Sequence, residues 1–190
     1  MYQAAIITDP VDAELRENEM IRQVQQFLPV LAETDLDIQR TEKGKPFIVY
    51  ADSGKAVSDV HVSVSHSGGY WACVVSDRAC GLDLQEMRPA AAERLADRFF
   101  TPQEGRYIKE AGLNGFYELW TRREALAKYT GLGFFGMSVK RPELVDSEGR
   151  PAEHVMWDGK TVVFHKLQAP EGFIAVWCYE EVNEGEMYEL

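Results

Sequence analysis

The chain has 190 residues, 45% of them hydrophobic, which is enough for one domain or two small halves that share an interface. Its 20 Lys and Arg stand against 31 Asp and Glu, for a net charge of -11, so nucleic acid and anionic membranes are expected not to be partners. No apolar run is long enough to cross a bilayer. The opening MYQAAIITDP lacks the basic segment and apolar run of a secretory leader, so a cytoplasmic location is expected. Cys73, Cys80 and Cys178 form no CxxC pair and read as reduced, small core residues.

In chain order, the apolar residues Leu15, Met20, Ile21, Val24, Phe27, Leu28 and Leu31 recur at helical spacing between Asp12 and Ala32, with Pro10 near the start. LDIQR reads as a short strand, and RTEKGKPFIVY as a turn at Gly44 followed by a strand after Pro46. VHVSVSH alternates like a half-buried strand, SGG turns the chain, YWACVVS returns it, and CGLDLQ adds another strand. A helical pattern, AAAERLADRFF, follows Pro89. TPQE is a capping box, with Thr101 as N-cap, Pro102 first in the helix and Glu104 three residues after the cap. That helix is expected to stop near Gly112, and a second one, capped at Asn114, to end at Gly131. FGMSVKRPEL, TVVFHKLQ and GFIAVWCYE read as strands, and EVNEGEMYEL as a frayed acidic tail. GGYWACVV and EGFIAVWC share a pattern, and each follows an alternating strand, which suggests two similar halves with a ligand cleft between them.

Four stretches carry candidate chemistry. On a helix, residues four apart lie one above another, so Trp120, Glu124 and Lys128 form one stripe, while Leu119, Leu126 and Tyr129 can supply the core face. The plainer reading of the stripe is an exposed Glu–Lys pair. In CGLDLQEMRP, Leu82 and Leu84 point to one face of a strand and Asp83 and Gln85 to the other. An acid among apolar neighbours needs a partner, either a metal ion or, more plainly, a nearby Arg. In SVSHSGG, the hydroxyls of Ser63, Ser65 and Ser67 with His66 at a strand end can hold a phosphate, or can be a polar strand face with Ser67 capping the turn. In RTEKGKP, Arg40, Lys43 and Lys45 surround Gly44 in an acidic chain; a surface loop explains them, and an anion site explains their mutual repulsion better. SHSGG lacks the nucleophile elbow of a hydrolase.

Taken in order, Gly44-Lys45-Pro46, Ser65-His66-Ser67, Gly81-Leu82-Asp83-Leu84-Gln85 and Phe116-Tyr117…Trp120…Arg123-Glu124…Lys128 resemble the motifs of the 4′-phosphopantetheinyl transferases of the larger, two-halved, surfactin-synthetase-activator type. RFFTPQE resembles the link between the last two, and the likeness runs from about Asp35 to Gly133. The resemblance implies an α+β fold of two similar halves, residues 1–86 and 87–181, each a helix packed on a small antiparallel sheet, with the tail 182–190 beyond them. It implies Mg²⁺-dependent transfer of 4′-phosphopantetheine from coenzyme A to a serine of an acyl or peptidyl carrier protein by a cytoplasmic monomer. Mg²⁺, or Mn²⁺ in its place, would be held by Asp83, Gln85 and Glu124; Arg40, Lys43, Lys45, Pro46, Ser65, His66, Asp83 and Lys128 would seat the coenzyme; Glu124 and Lys128 would be catalytic.

Two departures stand out. Gln85 occupies a place where the family often has Glu, and a neutral amide oxygen is a weaker ligand for a hard cation. Arg123 replaces the usual Lys, and the family's early cations for the ribose phosphate have no clear match, Arg16 and Arg22 being the candidates. A relative that binds coenzyme A or the carrier protein without transferring, and an unrelated Mg²⁺-dependent phosphoesterase, are the competing readings.

Overall fold

The computed structural model describes residues 1–89, 95, 98–133 and 141–181. The described elements run β1 (Tyr2–Thr8), α1 (Ala13–Phe27), a 3₁₀ turn (Pro29–Leu31), β2 (Leu36–Arg40), β3 (Pro46–Tyr50), β4 (His61–Ser67), β5 (Tyr70–Ser76), β6 (Cys80–Glu86), α2 (Pro102–Thr130), β7 (His154–Trp157), β8 (Lys160–Leu167) and β9 (Phe173–Glu181). The fold is α+β. Strands pair antiparallel in the orders β1-β5-β4, β2-β3 and β6-β9-β8-β7.

Strand alternation sorts the side chains into layers. Trp71, Cys73 and Val75 of β5, with Val62 of β4, face Met20 and Val24 of α1. Ala72 and Val74, on the other face of β5, meet Leu82, Leu84, Ala175 and Trp177 of β6 and β9. The opposite face of β9, Val176 and Cys178, packs with Phe164 and Val162 against Leu119, Ala125, Leu126 and Tyr129 of α2. The β1-β5-β4 and β6-β9-β8-β7 sheets thus lie between α1 and α2. No helix among the described residues is long and apolar enough to cross a membrane.

Local signals explain the helix boundaries. Asp12 caps α1 through the amides of Glu14 and Leu15. Leu15 is 54% exposed rather than on the apolar face, because five residues before Met20 is about 140° around the helix. Thr101 and Glu104 form the expected capping box. Gly112 breaks α2 with φ 63° and ψ -142°, and Gly131 ends it in the left-handed region, both where the sequence puts a stop.

β1 and the short edge strand β7 were not anticipated from the sequence. The expected strand over 135–144 is not one at 141–144, and 135–140 lie outside the described residues. So do the tail 182–190 and most of the helical pattern over 90–100. β6 falls within 1–86 by count, yet its ladder partner is β9, residue for residue from Cys80↔Tyr179 to Glu86↔Phe173.

The free edge of β6 faces β4 without a backbone ladder. Instead Ser63 Oγ accepts from the Leu82 amide at 2.9 Å and Ser67 Oγ from the Glu86 amide at 3.0 Å. The serine stripe is therefore a side-chain seam between the two sheets. On the other side of β6, a Cβ on Gly81 would lie 2.0 Å from the Ala125 carbonyl oxygen and 2.5 Å from the Tyr129 amide of α2. Only glycine lets β6 approach the helix backbone so closely. Gly81→Ala must push α2 off β6, and we expect a loss of roughly 1–3 kcal/mol or more, as for overpacked cores. Urea unfolding measures it, and an unchanged midpoint would contradict the close approach.

Candidate active site

Gly81, Asp83 and Gln85 share the face of β6 opposite Leu82 and Leu84, as strand alternation requires. Where Gly81 admits α2, the helix brings Glu124 and Lys128 over Asp83. Asp83 is 2% exposed. Its Oδ1 accepts from Lys128 Nζ at 2.8 Å and Ser65 Oγ at 2.9 Å, and its Oδ2 from Gln85 Nε2 at 3.0 Å. Lys128 Nζ also donates to Ser65 Oγ at 2.9 Å. A carboxylate from β6, a hydroxyl from β4 and an ammonium from α2 thus close a triangle.

Arg40, Ser65, His66, Asp83, Gln85, Glu124 and Lys128 line one cleft of about 470 Å³, together with Arg16, Glu17 and Trp71. Lys43, Lys45 and Pro46 line a second, of about 240 Å³, which shares Val64, Glu124 and Lys128 with the first. The ten residues expected at the site thus border the Glu124–Lys128 stripe in two compartments, whereas Ser67 and Arg22 line neither. Trp120, the third member of the stripe, stacks on Phe116 at 5.7 Å and meets the edge of Phe99 at 5.8 Å, so it belongs to an aromatic cluster outside both clefts.

Several cations have protein partners that the sequence did not reveal. Lys45 Nζ donates to the Tyr129 carbonyl at 2.8 Å and the Cys80 carbonyl at 3.2 Å, tying the start of β3 to the end of α2 and to β6. Burial pushes its ammonium below the ordinary lysine value. Arg40 pairs with Glu17 at 3.1 Å. Arg40 thus has a carboxylate for its charge, and Lys45 has two carbonyl acceptors but no carboxylate partner among the described residues. Lys43 is exposed and makes no ion pair among the described residues. Arg16, in the first cleft, holds Asp9 through two bonds of 2.7 Å, whereas Arg22 pairs with Glu19 away from both clefts.

Arg123 is not a site residue. It is 2% exposed, and its Nη2 bonds both oxygens of the fully buried Glu104, at 2.6 and 2.7 Å. Glu86, beside Gln85, faces away from the cleft and pairs with Arg88.

Glu124 stands apart electrostatically. Burial first, then the charge of Asp83, push its carboxyl from 4.5 up to about 7, against the opposing pull of Lys128. Among the described residues no group of three or more His, Cys, Asp and Glu side chains is arranged to hold a metal. The available oxygen donors are the carboxylates of Asp83 and Glu124 and the amide of Gln85, a set that suits Mg²⁺ when a ligand supplies further oxygens. The Lys128 ammonium on Asp83 already acts as a stand-in cation at that carboxylate.

A model of the 4′-phosphopantetheinyl transferase superfamily matches residues 79–178. The chain belongs to that superfamily. Its β6 motif and the whole of α2 lie inside the match. The chain is 33% identical over 96 residues to a 4′-phosphopantetheinyl transferase of Bacillus subtilis, covering 48% of this chain and 40% of that protein. It is 30% identical over 107 residues to the 4′-phosphopantetheinyl transferase Sfp of Bacillus subtilis strain 168, covering 54% and 45%. It is 28% identical over 101 residues to the 4′-phosphopantetheinyl transferase gsp of Aneurinibacillus migulanus, covering 51% and 39%. The chain spans less than half the length of these curated relatives.

The raised carboxyl of Glu124 has a definite sign in stability. Between its ordinary value of 4.5 and about 7, the unfolded chain has released the proton that the folded chain still holds. Stability therefore falls as pH rises through that window, and the full penalty is present above it. Glu124→Gln cannot ionise, so its stability relative to the wild type should climb between pH 4.5 and 7.5 in metal-free buffer. Thermal melts across that range check this; a constant difference would contradict the burial of the charge.

Proposed function

We propose that this chain transfers 4′-phosphopantetheine from coenzyme A to a serine hydroxyl of an acyl or peptidyl carrier protein, releasing adenosine 3′,5′-bisphosphate. The reading rests on family membership and on one observation above all: Asp83, Glu124 and Lys128, from β6 and α2, converge with Ser65 on one cleft. Asp83 and Glu124 would hold Mg²⁺ or Mn²⁺, with Gln85 oxygen as a neutral third donor after its amide turns from Asp83. When bound, the ion offsets charge on the coenzyme's diphosphate.

In this reading Lys128 swings from Asp83 to the diphosphate and follows the charge that builds on the leaving phosphate. Ser65 and His66 seat the same group from β4. Lys43, with Pro46 and the stem of Lys45, walls the second cleft, which would take the nucleoside end of the coenzyme. Glu124, directly or through a water, takes the proton of the incoming serine hydroxyl. The bond formed joins the serine oxygen to the phosphate that bears pantetheine; the bond broken is the diphosphate linkage. The enzyme would act as a monomer in the cytoplasm, without nucleic acid or membrane partners.

A second reading, a coenzyme-binding relative without transfer, is favoured by Gln85, which stands where a third acid would be and donates to Asp83. Incubation with coenzyme A, Mg²⁺ and several apo carrier proteins, followed by intact-mass measurement, separates the two. We expect a gain of one phosphopantetheine per carrier. Asp83→Asn keeps the shape and removes the charge, and should reduce transfer by about 100-fold or more, in the range of a lost electrostatic contact to the reacting group. Coenzyme binding without mass gain on any carrier would support the second reading. Inorganic phosphate released from simple esters would support a phosphoesterase.

A further inference from the structure

The helix α2 must be placed along β6 as well as against it. Gly81 sets how closely the two approach at the start of the strand, under Ala125 and Tyr129. The far end of the strand supplies a second point of attachment. In the ladder between β6 and β9 the Met87 amide donates to the Gly172 carbonyl at 2.9 Å. Successive residues of a strand direct their backbone groups to opposite edges, so those of Arg88 point away from β9. On that edge Ser63 and Ser67 accept from the Leu82 and Glu86 amides, but β4 ends at Ser67 and offers nothing to Arg88. The phenol of Tyr117 takes its place. Its hydroxyl accepts from the Arg88 amide at 2.9 Å and donates to the Arg88 carbonyl at 3.0 Å.

One side chain of α2 thus holds both backbone groups of one residue of the chain leaving β6. Tyr117 is 4% exposed, lies edge-on to Phe116 at 5.1 Å and shares its cluster with Met87 and Ile174. A ring packed in this way cannot follow a shifted backbone without disturbing its neighbours. Tyr117 and Glu124 are seven residues apart, two helical turns, and so share a face of α2. On the helix, Glu124 lies between Tyr117 and the Ala125–Tyr129 contact. On the strand, Asp83 and Gln85 lie between Gly81 and Arg88. A slip of α2 by one residue would move Glu124 about 1.5 Å along the helix axis and about 100° around it.

We infer that Tyr117 is a positioning residue of the cleft: its hydroxyl sets the register of α2 on β6, and through it the placing of Glu124 and Lys128 opposite Asp83. Its effect on turnover rests on the proposed transfer; the register itself does not.

Tyr117→Phe removes one oxygen and keeps the ring, so it tests both. The first readout needs no turnover. Urea unfolding of Asp83→Asn, Lys128→Met and the double variant, without metal or coenzyme, gives the energetic coupling of that ion pair. In the Tyr117→Phe background this coupling should fall to about half or less, because groups couple only while their contact is kept. The second readout is transfer from coenzyme A to an apo carrier protein. There Tyr117→Phe should lower kcat about tenfold or more and leave both KM values within about twofold, as a small misplacement of bound reacting groups does. Leu31→Ala, which truncates a buried residue lining neither cleft, controls for lost stability and should keep the wild-type kcat. A Tyr117→Phe variant that is folded by circular dichroism and retains the full coupling would overturn the inference, as would a loss of kcat no larger than that of Leu31→Ala. Wild-type protein that transfers to no carrier would overturn the proposed function instead, and the coupling would still decide the role of Tyr117.

Discussion

A carboxylate removed from water must be given a counter-charge and donors, and the layout of this chain follows from meeting that need at Asp83. Three elements contribute. β4 supplies the Ser65 hydroxyl, α2 the Lys128 ammonium and β6 itself the Gln85 amide. Each can reach only because another constraint is satisfied: Gly81 lets α2 lie on the backbone of β6, and Ser63 and Ser67 fasten β6 to β4 on either side of Asp83. Ser63 and Ser67 are small enough for the sheets to meet and polar enough to accept from the Leu82 and Glu86 amides.

The aim of α2 depends on a second buried pair. Gly112 breaks the helix, and Glu104 lies before the break and Arg123 after it. Their two short bonds, with Glu104 also accepting from the Thr101 and Leu144 amides, hold the segments at a fixed angle. Removing one partner of such a pair leaves an uncompensated charge and costs about 3–5 kcal/mol. Arg123 therefore acts on the cleft from a distance, by holding the helix that carries Glu124 and Lys128. Lys45 does the same at the other end of α2, where it caps the Tyr129 carbonyl.

Much of this was legible in the sequence, for identifiable reasons. Period-two alternation in VHVSVSH and the Gly68-Gly69 turn mark β4 and β5, and Thr101, Gly112 and Gly131 punctuate α2. Spacing of four joined Glu124 to Lys128, and strand parity put Asp83 and Gln85 on one face. What escaped depends on partners far apart in the chain. Nothing local says that Lys45 finds the carbonyls of Cys80 and Tyr129, that Arg40 finds Glu17, or that Arg123 finds Glu104. The serine stripe reads as a phosphate-binding pattern or as a polar strand face, but its role as a seam needs the parallel alignment of β4 with β6, which is set by the layering of two sheets. β1 has no clean alternation in its Ala-Ala-Ile-Ile run, and β7 has only four residues.

The pairing of Asp83 with Lys128 carries the rest, and a double-mutant cycle on stability addresses it most directly. Asp83→Asn, Lys128→Met and the double variant would be unfolded in urea, in metal-free buffer and without coenzyme. If the two side chains are each other's counter-ions in the free protein, each single variant leaves a charge without its partner. The double variant should then lose less than the sum of the two, with a coupling of about 1–3 kcal/mol. Strict additivity of the two losses would contradict the account.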